Sequence, residues 1–333
     1  MAQKSGRSVA GGFVDRSHEL GHRLRDRALF DAPRRQRKIP LVIAGGGIAG
    51  LSAAWRLDKR GFRDFAVLEM EPRAGGNSRW GEHAVSPFAW AAHYVPVPGP
   101  RAVLVRELLE DLGVLRNGQF EERYLCYSPQ ERLFIHGRWQ EGIEPASALA
   151  AADRDQFQRF AGRMAAFRAS GQFTIPLEDG ARPSELDRLS MQEWLRREGF
   201  TSPPLDWYVN YGCRDDYGAR AAAVSAWAGI HYFAAREPED KGPLTWPEGN
   251  GWIVKRLRSQ LEKQIRPDSL VFHLVPGERS AFVEYFDVRR QQSTRIKAEQ
   301  VIVACPRQFA RYLLSDAREG AQGVEAFEYA PWM

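Results

Sequence analysis

A glycine-rich turn that follows an apolar run constrains this chain more than any other feature. Ile39–Ala44 is an apolar run ending at glycines, as is typical of a strand buried on both faces. Gly45–Gly50 then contains glycines at the G-x-G-x-x-G spacing. From Gly47 to about Arg60 apolar residues recur on one helical face, and Gly61 is a typical residue after a helix end. The pattern predicts a strand, a tight turn and a helix.

The turn also has the context of a dinucleotide-binding fingerprint. Phe65–Leu68 predicts a second buried strand, and Glu69 follows at its end. Gly45 permits the tight turn, Gly47 lets the backbone approach a pyrophosphate, and Gly50 allows close packing of helix on strand. We expect the N–H groups of the helix N-terminus to receive the phosphates and Glu69 to accept hydrogen bonds from ribose hydroxyls.

The carboxylate of Glu69 narrows the choice of dinucleotide. It would repel the 2′-phosphate of NADP, but it is compatible with either NAD or FAD. The alternative is a glycine-rich turn that binds no ligand. The flanking strands, the helix and the acidic residue make that alternative the weaker interpretation.

Residues 70–79 favour FAD. They continue as Met-Glu-Pro-Arg-Ala-Gly-Gly-Asn-Ser-Arg, and here the chain resembles the flavin-containing amine oxidase family. Its relatives include monoamine and polyamine oxidases, protoporphyrinogen oxidases and phytoene desaturases. The family has a Gly-Gly doublet after the acidic residue at the strand end, and Glu69, Gly75 and Gly76 fall on those positions. The resemblance implies FAD as cofactor, with the doublet's backbone close to the FAD diphosphate.

Two positions depart from the commonest family pattern. The residue after the doublet is usually Arg but is Asn77 here, and Glu71 stands where Arg is frequent. Arg79 or Arg73 is the candidate to supply the missing cation. The predicted cofactor-binding residues are Gly45, Gly47, Ile48, Ala49, Gly50, Glu69, Met70, Arg73, Gly75, Gly76, Asn77, Ser78 and Val275.

The resemblance continues more loosely along the chain. Ala91–Tyr94 looks like the small-residue stretch that passes near the flavin ring in such proteins, and Trp246–Trp252 resembles the turn that re-enters the nucleotide domain. Leu274 or Val275 stands where the family contacts adenine through backbone groups. Val301–Pro306 is similar to its apolar strand ending in proline, so a buried strand is predicted over residues 300–304.

The order of the elements predicts an α/β fold, in which a Rossmann-like FAD/NAD(P)-binding domain carries an inserted, mainly helical (α+β) substrate domain. Residues 39–117 and 244–333 form the discontinuous FAD-binding domain in this interpretation, and residues 118–243 form the substrate or cap domain. Residues 1–38 are a basic N-terminal arm, expected to be solvated.

The end of the chain predicts a shortened form. In the family, a further segment follows the strand that ends in proline, completes the substrate domain and supplies a second glycine-rich FAD contact, whereas this sequence stops at Phe327–Met333. We therefore expect a C-terminally truncated chain with weak or absent retention of FAD, unless a partner chain or a longer form supplies the rest.

Two polar and aromatic clusters in the insert are candidate pocket residues, and the catalytic residues themselves are unknown. Gly212–Tyr217 and Ser225–Tyr232 carry the clusters. One interpretation is that an Asp binds a substrate ammonium group beside aromatic residues; the other, favoured, is a capped and salt-bridged pair of buried helices. The candidates are His93, Tyr94, Asp215, Asp216, Tyr217, His231 and Tyr232.

Charge and cysteine content exclude several other classes. Residues 1–40 hold ten Lys and Arg against four Asp and Glu, a net charge of +6, whereas the whole chain carries +5 and the rest of it therefore about −1. The basic excess thus lies in the N-terminal arm, and no nucleic-acid motif accompanies it. Cys126, Cys213 and Cys305 lie far apart, without metal-ligand spacing. We therefore predict no metal, no nucleic acid, no membrane span and a cytoplasmic location, or a periplasmic one if the true N-terminus lies further upstream.

The sequence thus favours an FAD-dependent oxidoreductase resembling amine oxidases, which removes a hydride from a small molecule such as an amine. A non-catalytic nucleotide-binding remnant and an NAD-dependent dehydrogenase are the alternatives. The substrate, the electron acceptor and the oligomeric state are unknown at this stage.

Overall fold

The computed structural model describes residues 17–26, 30–126, 131–145, 149–177, 185–236 and 242–314. The described residues divide into two compact units: residues 17–93 together with 247–314, and residues 94–246. We call them the nucleotide unit and the inserted unit. The sequence placed the domain boundaries at 118 and 243, and the assignment of the insert as a substrate domain stays a prediction.

The helices and strands of the described residues are numbered in chain order. The α-helices are α1 (His18–Arg25), α2 (Ile48–Lys59), α3 (Val103–Asp111), α4 (Ala151–Ala169), α5 (Met191–Arg197), α6 (Pro203–Tyr217), α7 (Ala226–Ala234), α8 (Gly251–Gln260) and α9 (Ala310–Leu313). The strands are β1 (Arg35–Lys38), β2 (Leu41–Ala44), β3 (Phe65–Leu68), β4 (Trp80–Glu82), β5 (Pro87–Ala89), β6 (Tyr94–Val95), β7 (Leu115–Arg116), β8 (Gln119–Phe120), β9 (Arg132–Ile135), β10 (Arg138–Glu141), β11 (Leu244–Thr245), β12 (Ile265–Arg266), β13 (Ser269–Val275), β14 (Ala281–Asp287), β15 (Gln292–Ala298) and β16 (Gln300–Val303).

A parallel sheet in the nucleotide unit confirms the predicted α/β fold. Its strands lie in the order β12-β3-β2-β16, and every pair is parallel. All residues of β2 and β3 are buried, as their uninterrupted apolar sequences predict. Leu51 and Ala54 of α2 are fully buried, because the apolar face of this helix packs on β2 and β3.

The last parallel strand is less buried than predicted. Residues 300–304 were expected to form a buried strand, but β16 pairs only with β2 in the described sheet, and Val303 is 40% exposed. A strand at a sheet edge has a neighbour on one side only, so an apolar sequence does not by itself ensure burial.

A second sheet of the nucleotide unit has the order β1-β15-β14-β13. The sequences of residues 270–275 and 281–287 predict paired strands, and the antiparallel pairing of β13 with β14 confirms this. The expectation of a solvated arm up to residue 38 is wrong for Arg35–Lys38, which forms β1 and pairs in parallel with β15. Its side chains are nevertheless exposed, because the strand is held through backbone hydrogen bonds and needs no apolar sequence.

The inserted unit is mainly helical, as predicted. Its core lies between α4, α5, α6 and α7 and is centred on Phe160, Met191 and Ile230. Residues 147–171 and 190–199 predict helices that begin at a capping serine. Ser190 and Glu193 form a reciprocal capping box at the start of α5, which confirms Ser190 as an N-cap. The first of these helices is observed from Ala151, and Ser147 lies outside the described residues.

The alternating sequence of residues 125–139 predicts a hairpin, with turns expected at Pro129 and Gly137. Strands β9 and β10 pair antiparallel and turn at His136 and Gly137, both with positive φ (50° and 78°), which confirms the turn at Gly137. Pro129 lies outside the described residues. The paired positive φ angles of this two-residue turn match the twist of the strands that it joins.

Candidate functional site

The glycine turn after β2 has the geometry that its sequence requires. The Gly45 N–H donates to the Leu68 carbonyl oxygen at 2.9 Å, which ties the turn to the end of β3. Gly45 has a φ of +111°, a region that favours glycine. A Cβ on Gly50 would lie 1.9 Å from the Gly45 carbonyl oxygen. No side chain fits there, so the first turn of α2 can lie directly on the loop.

The Gly-Gly doublet faces the glycine turn. The Gly75 N–H donates to the Gly46 carbonyl oxygen at 2.8 Å, and a Cβ on Gly76 would lie 3.1 Å from the Gly47 Cα. Gly75 and Gly76 both have positive φ, +146° and +53°. A Cβ on Gly47, by contrast, would meet only the Gly76 Cα, at 3.9 Å. The two backbones therefore form a cradle in which Gly47 makes only an ordinary van der Waals contact with Gly76, so the backbone at Gly47 can lie close to a diphosphate.

Glu69 lies beside this cradle and is held by backbone groups. Its Oε2 accepts a hydrogen bond from the Gly46 N–H and its Oε1 accepts one from the Glu71 N–H, each at 2.8 Å. The side chain is buried, and burial raises the pKa of this carboxyl, although the two hydrogen bonds oppose the shift. Each carboxylate oxygen has a second lone pair, so acceptor capacity remains for ribose hydroxyls.

Arg79 is the candidate cation that lies at the doublet. Its Nε donates to the Gly76 carbonyl oxygen at 3.1 Å, and its Nη1 lies 3.4 Å from Oε2 of the buried Glu71. The Ser17 hydroxyl also donates to the Glu71 carboxylate. Arg73 lies elsewhere, with its guanidinium carbon 5.4 Å from the centroid of the Trp80 ring. Glu71, a departure from the family pattern, therefore acts as the counter-ion of Arg79.

The remaining predicted cofactor residues are distributed around the two glycine segments. Ile48 and Ala49 are exposed at the start of α2, Met70 is half-buried, Ser78 is buried and Asn77 is exposed. The Asn77 carbonyl oxygen accepts a hydrogen bond from the Ala92 N–H at 3.0 Å. Val275 ends β13, the strand whose first residue, Ser269, donates to the Glu69 carbonyl oxygen. Their cofactor contacts stay predictions.

The segment Ala91–His93 packs against the turn before α8. The Asn250 N–H donates to the Ala92 carbonyl oxygen at 3.0 Å, and a Cβ on Gly249 would lie 2.7 Å from the His93 Cα. The His93 Nδ1 lies 2.9 Å from the Ala91 carbonyl oxygen. His93 thus belongs to the nucleotide unit, whereas its neighbour Tyr94 begins the inserted unit.

In the inserted unit, the structure brings the predicted acidic residues together with tyrosines and one arginine. The Tyr232 hydroxyl donates to Oδ2 of Asp215 at 3.1 Å, and Nη2 of Arg236 donates to Oδ1 of Asp216 at 2.7 Å. The Arg236 guanidinium carbon lies 3.8 Å from the centroid of the Tyr232 ring. Burial raises the pKa of Asp216, and Arg236 opposes the shift.

Sequence reasoning missed three members of this cluster: Glu131, Tyr211 and Arg236. The Tyr211 hydroxyl donates to Oε1 of Glu131 at 2.9 Å, and burial together with this hydrogen bond raises the pKa of Tyr211 to about 12. Burial also raises the pKa of Tyr94, which Asp215 raises further. The i, i+4 spacing of Tyr211 and Asp215 on α6 was an available signal for Tyr211. For Glu131, distant in sequence, no such signal exists.

Two predicted pocket residues have local structural contacts. The Tyr217 hydroxyl donates to the Ala228 carbonyl oxygen at 2.7 Å and so links α6 to α7. The His231 Nε2 lies 3.2 Å from the Thr174 carbonyl oxygen, and the His231 ring stacks on Trp227 with centroids 5.2 Å apart. These contacts match the interpretation of a packed helix pair.

Within the described residues, no group of three or more His, Cys, Asp or Glu side chains could hold a metal ion. The helices in this part of the chain are too short or too polar to cross a membrane.

This chain is similar to known proteins in part of its sequence and in its fold. Residues 43–112 match a family described as the NAD(P)-binding Rossmann-like domain. None of the curated proteins is significantly similar to the chain in sequence. Among solved structures, a putrescine oxidase bound to putrescine is 19% identical, with 87% of this chain and 64% of that chain covered and a TM-score of 0.68.

Two further structures match over a similar extent. Cyclohexylamine oxidase from Brevibacterium oxydans is 19% identical, with 86% of this chain and 63% of that chain covered and a TM-score of 0.65. A fatty acid isomerase from P. acnes is 15% identical, with 86% and 63% covered and a TM-score of 0.58. The predicted likeness to amine oxidases is thus confirmed in fold, and the chain spans less than two thirds of the length of these structures.

Proposed function

We propose that this chain is the greater part of an FAD-dependent oxidoreductase that acts on an amine. The observation that carries the proposal is the cradle in which Gly47 faces Gly76 beside the buried carboxylate of Glu69. The absence of a Cβ at Gly47 and the close approach of the two backbones suit a dinucleotide diphosphate.

The residues of the nucleotide unit fit FAD in chemical type. The N–H groups at the start of α2 would receive the diphosphate, and the helix dipole favours negative charge there. Glu69 would bind the ribose, and Arg79 lies at the doublet, held by Glu71. When bound, FAD supplies an acceptor for the hydride of an oxidised substrate.

The inserted unit supports an amine as the substrate class. Glu131, Asp215 and Asp216 are gathered among tyrosine rings, with Arg236 as the cation in contact with them. Carboxylates and aromatic faces are the groups that bind an ammonium ion. Two of the matching structures are named for amine substrates, putrescine and cyclohexylamine. In this proposal the cluster orients the amine and compensates its charge.

The experiment that tests the cofactor assignment is FAD binding by the purified chain, followed by its visible absorbance and by calorimetry. Gly47→Val should abolish binding without unfolding the chain, because its Cβ meets only the Gly76 Cα at ordinary contact distance while the side chain occupies the cradle. Gly99→Val is the matched control, since a Cβ there meets nothing within 4 Å. No binding by the wild-type chain would reject FAD binding by residues 1–333, and equal binding by the two variants would reject the cradle as the FAD site.

A second candidate is an NAD-binding protein, with or without dehydrogenase activity. The description of the matching family as NAD(P)-binding favours it, as does the compatibility of Glu69 with an unphosphorylated ribose. Titration with NAD in the same calorimeter separates the two candidates. Tight NAD binding with no FAD affinity supports the second, and the reverse supports the first.

A further inference from the structure

Helix α1 lies in the N-terminal arm and is docked on the nucleotide unit. Leu24, near the end of the helix, is buried in the apolar core that includes Val42 of β2. The guanidinium carbon of Arg23 lies 4.9 Å from the centroid of the Phe286 ring on β14. These contacts hold α1 in place, and with it Ser17, the residue that immediately precedes the helix.

The hydroxyl of Ser17 reaches the carboxylate that pairs with Arg79. Ser17 Oγ donates to Oε2 of Glu71, and Nη1 of Arg79 lies 3.4 Å from the same oxygen. The hydroxyl and the guanidinium therefore share one carboxylate oxygen. Ser17 makes no capping hydrogen bond to α1, so this contact is not a by-product of helix capping.

Glu71 needs both donors because it is buried beside a second carboxylate. It is 9% exposed, and its N–H donates to Oε1 of Glu69, which is 7% exposed. A buried carboxylate is stable only when donors satisfy its oxygens. Without the hydroxyl of Ser17, the charge of Glu71 would draw Arg79 inward from 3.4 Å to the distance of a charge-assisted hydrogen bond, about 2.7–2.9 Å.

The length of this ion pair matters because Arg79 lies at the Gly-Gly doublet. Its Nε donates to the Gly76 carbonyl oxygen at 3.1 Å, and Gly76 faces Gly47 in the cradle. A guanidinium that pairs tightly with a carboxylate has fewer N–H groups to offer to a phosphate. Because Ser17 shares Glu71, the ion pair stays long, and Arg79 can turn towards a diphosphate in the cradle.

We propose that Ser17 is a positioning residue of the dinucleotide site, which acts through Glu71 to orient Arg79 towards the diphosphate. The proposal rests on the dinucleotide site of the proposed function and concerns the ADP moiety that FAD and NAD share. It gives the N-terminal arm a part in cofactor affinity, although the arm lies outside the glycine fingerprint.

The first test is calorimetry of ADP and of FAD binding to the purified full chain. Ser17→Ala should lower the affinity for ADP about fivefold, the factor that corresponds to a hydrogen bond worth about 1 kcal/mol. Ser17→Thr keeps the hydroxyl and should stay within about twofold of the wild type. Ser259→Ala removes a hydroxyl from an exposed position on α8 and should have no effect. Unchanged affinity in Ser17→Ala, an equal loss in Ser259→Ala, or no binding of either nucleotide by the wild type would overturn the proposal.

A double-mutant cycle shows whether Ser17 acts through Glu71. The side chain of Glu71→Gln carries no charge to draw Arg79 inward, so adding Ser17→Ala to it should change the ADP affinity less than about twofold. A merely structural role of Ser17 would give the same fivefold loss in both backgrounds, and that result would overturn the proposal. Thermal unfolding of the chains confirms that each is folded, and the comparison of Ser17→Ala with Ser17→Thr decides the matter if Glu71→Gln does not fold.

The outcomes separate this role of Ser17 from the identity of the cofactor. FAD and ADP binding that Ser17→Ala leaves unchanged would overturn the role of Ser17 while the proposed cofactor stands. ADP binding that Ser17→Ala weakens, in a chain that does not bind FAD, would support the role of Ser17 and count against FAD as the cofactor.

Discussion

At the scale of single residues, contact distances separate essential glycines from replaceable ones. Gly50 and Gly162 are both helical glycines, and sequence alone gives them the same propensity penalty. In the structure, a Cβ on Gly50 would lie 1.9 Å from a backbone oxygen, whereas a Cβ on Gly162 meets nothing within 4 Å. The fingerprint spacing did identify Gly50 in advance, because that position is defined by close packing of helix and strand.

The substitution Gly50→Ala should therefore destabilise the chain by at least about 2 kcal/mol, because the backbone oxygen of Gly45 cannot move away as a flexible side chain would. Gly162→Ala should stabilise it by about 0.5–1 kcal/mol through helix propensity. Urea unfolding followed by circular dichroism measures both. A cost for Gly50→Ala no larger than that of an ordinary surface substitution would contradict the close packing described here.

Glu69 is a second residue whose behaviour follows from its surroundings. Burial raises its pKa in the folded chain, so the native state holds the proton more tightly than the unfolded state does. This contribution to stability is present below the usual value of 4.5 and is lost as the pH rises through the folded value. The wild-type chain should thus gain stability relative to Glu69→Gln as the pH falls from 7 towards 4.5. A difference in unfolding free energy that does not change with pH would contradict the shift.

At the scale of elements, the sequence predicted those parts of the fold that local chemistry determines. The strands β2 and β3 and the helix α2 were located because apolar runs and helical periodicity occur there, with glycines at the ends of the elements. Strand β1 was missed, since its Arg-Gln-Arg-Lys sequence carries no apolar signal and its pairing with β15 comes from backbone hydrogen bonds. The partial exposure of β16 was missed for a related reason, because edge position is a property of the sheet and not of the strand.

The same distinction applies to the candidate site. The glycine turn and Glu69 are close in sequence, so their spacing identified them, and the resemblance to amine oxidases identified the doublet that follows. The cluster of Glu131, Tyr211 and Arg236 assembles from segments far apart in the chain, and only tertiary contacts reveal it.

The capping box of α5 offers a test at this scale. Ser190→Ala removes the hydroxyl that accepts from the Glu193 N–H and should cost about 1 kcal/mol of stability. Ser259→Ala, at an exposed position within α8, should change stability by less than about 0.5 kcal/mol. Thermal and urea unfolding compare the two variants, and equal effects would mean that the cap contributes nothing measurable.

At the scale of the whole molecule, the two compact units divide the proposed chemistry. Dinucleotide recognition rests on residues of the nucleotide unit, and amine recognition rests on α6 and α7 of the inserted unit. A ligand that binds a folded unit slows the opening of the backbone hydrogen bonds around it. Each ligand should therefore protect its own unit from amide hydrogen exchange.

Hydrogen exchange with mass spectrometry tests this division directly. Saturating FAD should protect residues 45–50 and the amides of Gly75 and Gly76, and putrescine, used as the amine probe, should protect residues 211–217 and 226–236. Asp215→Asn should remove the protection by putrescine and leave that by FAD unchanged, because it removes one carboxylate charge from the cluster alone. Tyr124→Phe, a tyrosine outside the cluster, is the control. Protection by putrescine confined to the nucleotide unit would refute the assignment of the cluster as the amine site while leaving the cofactor site intact.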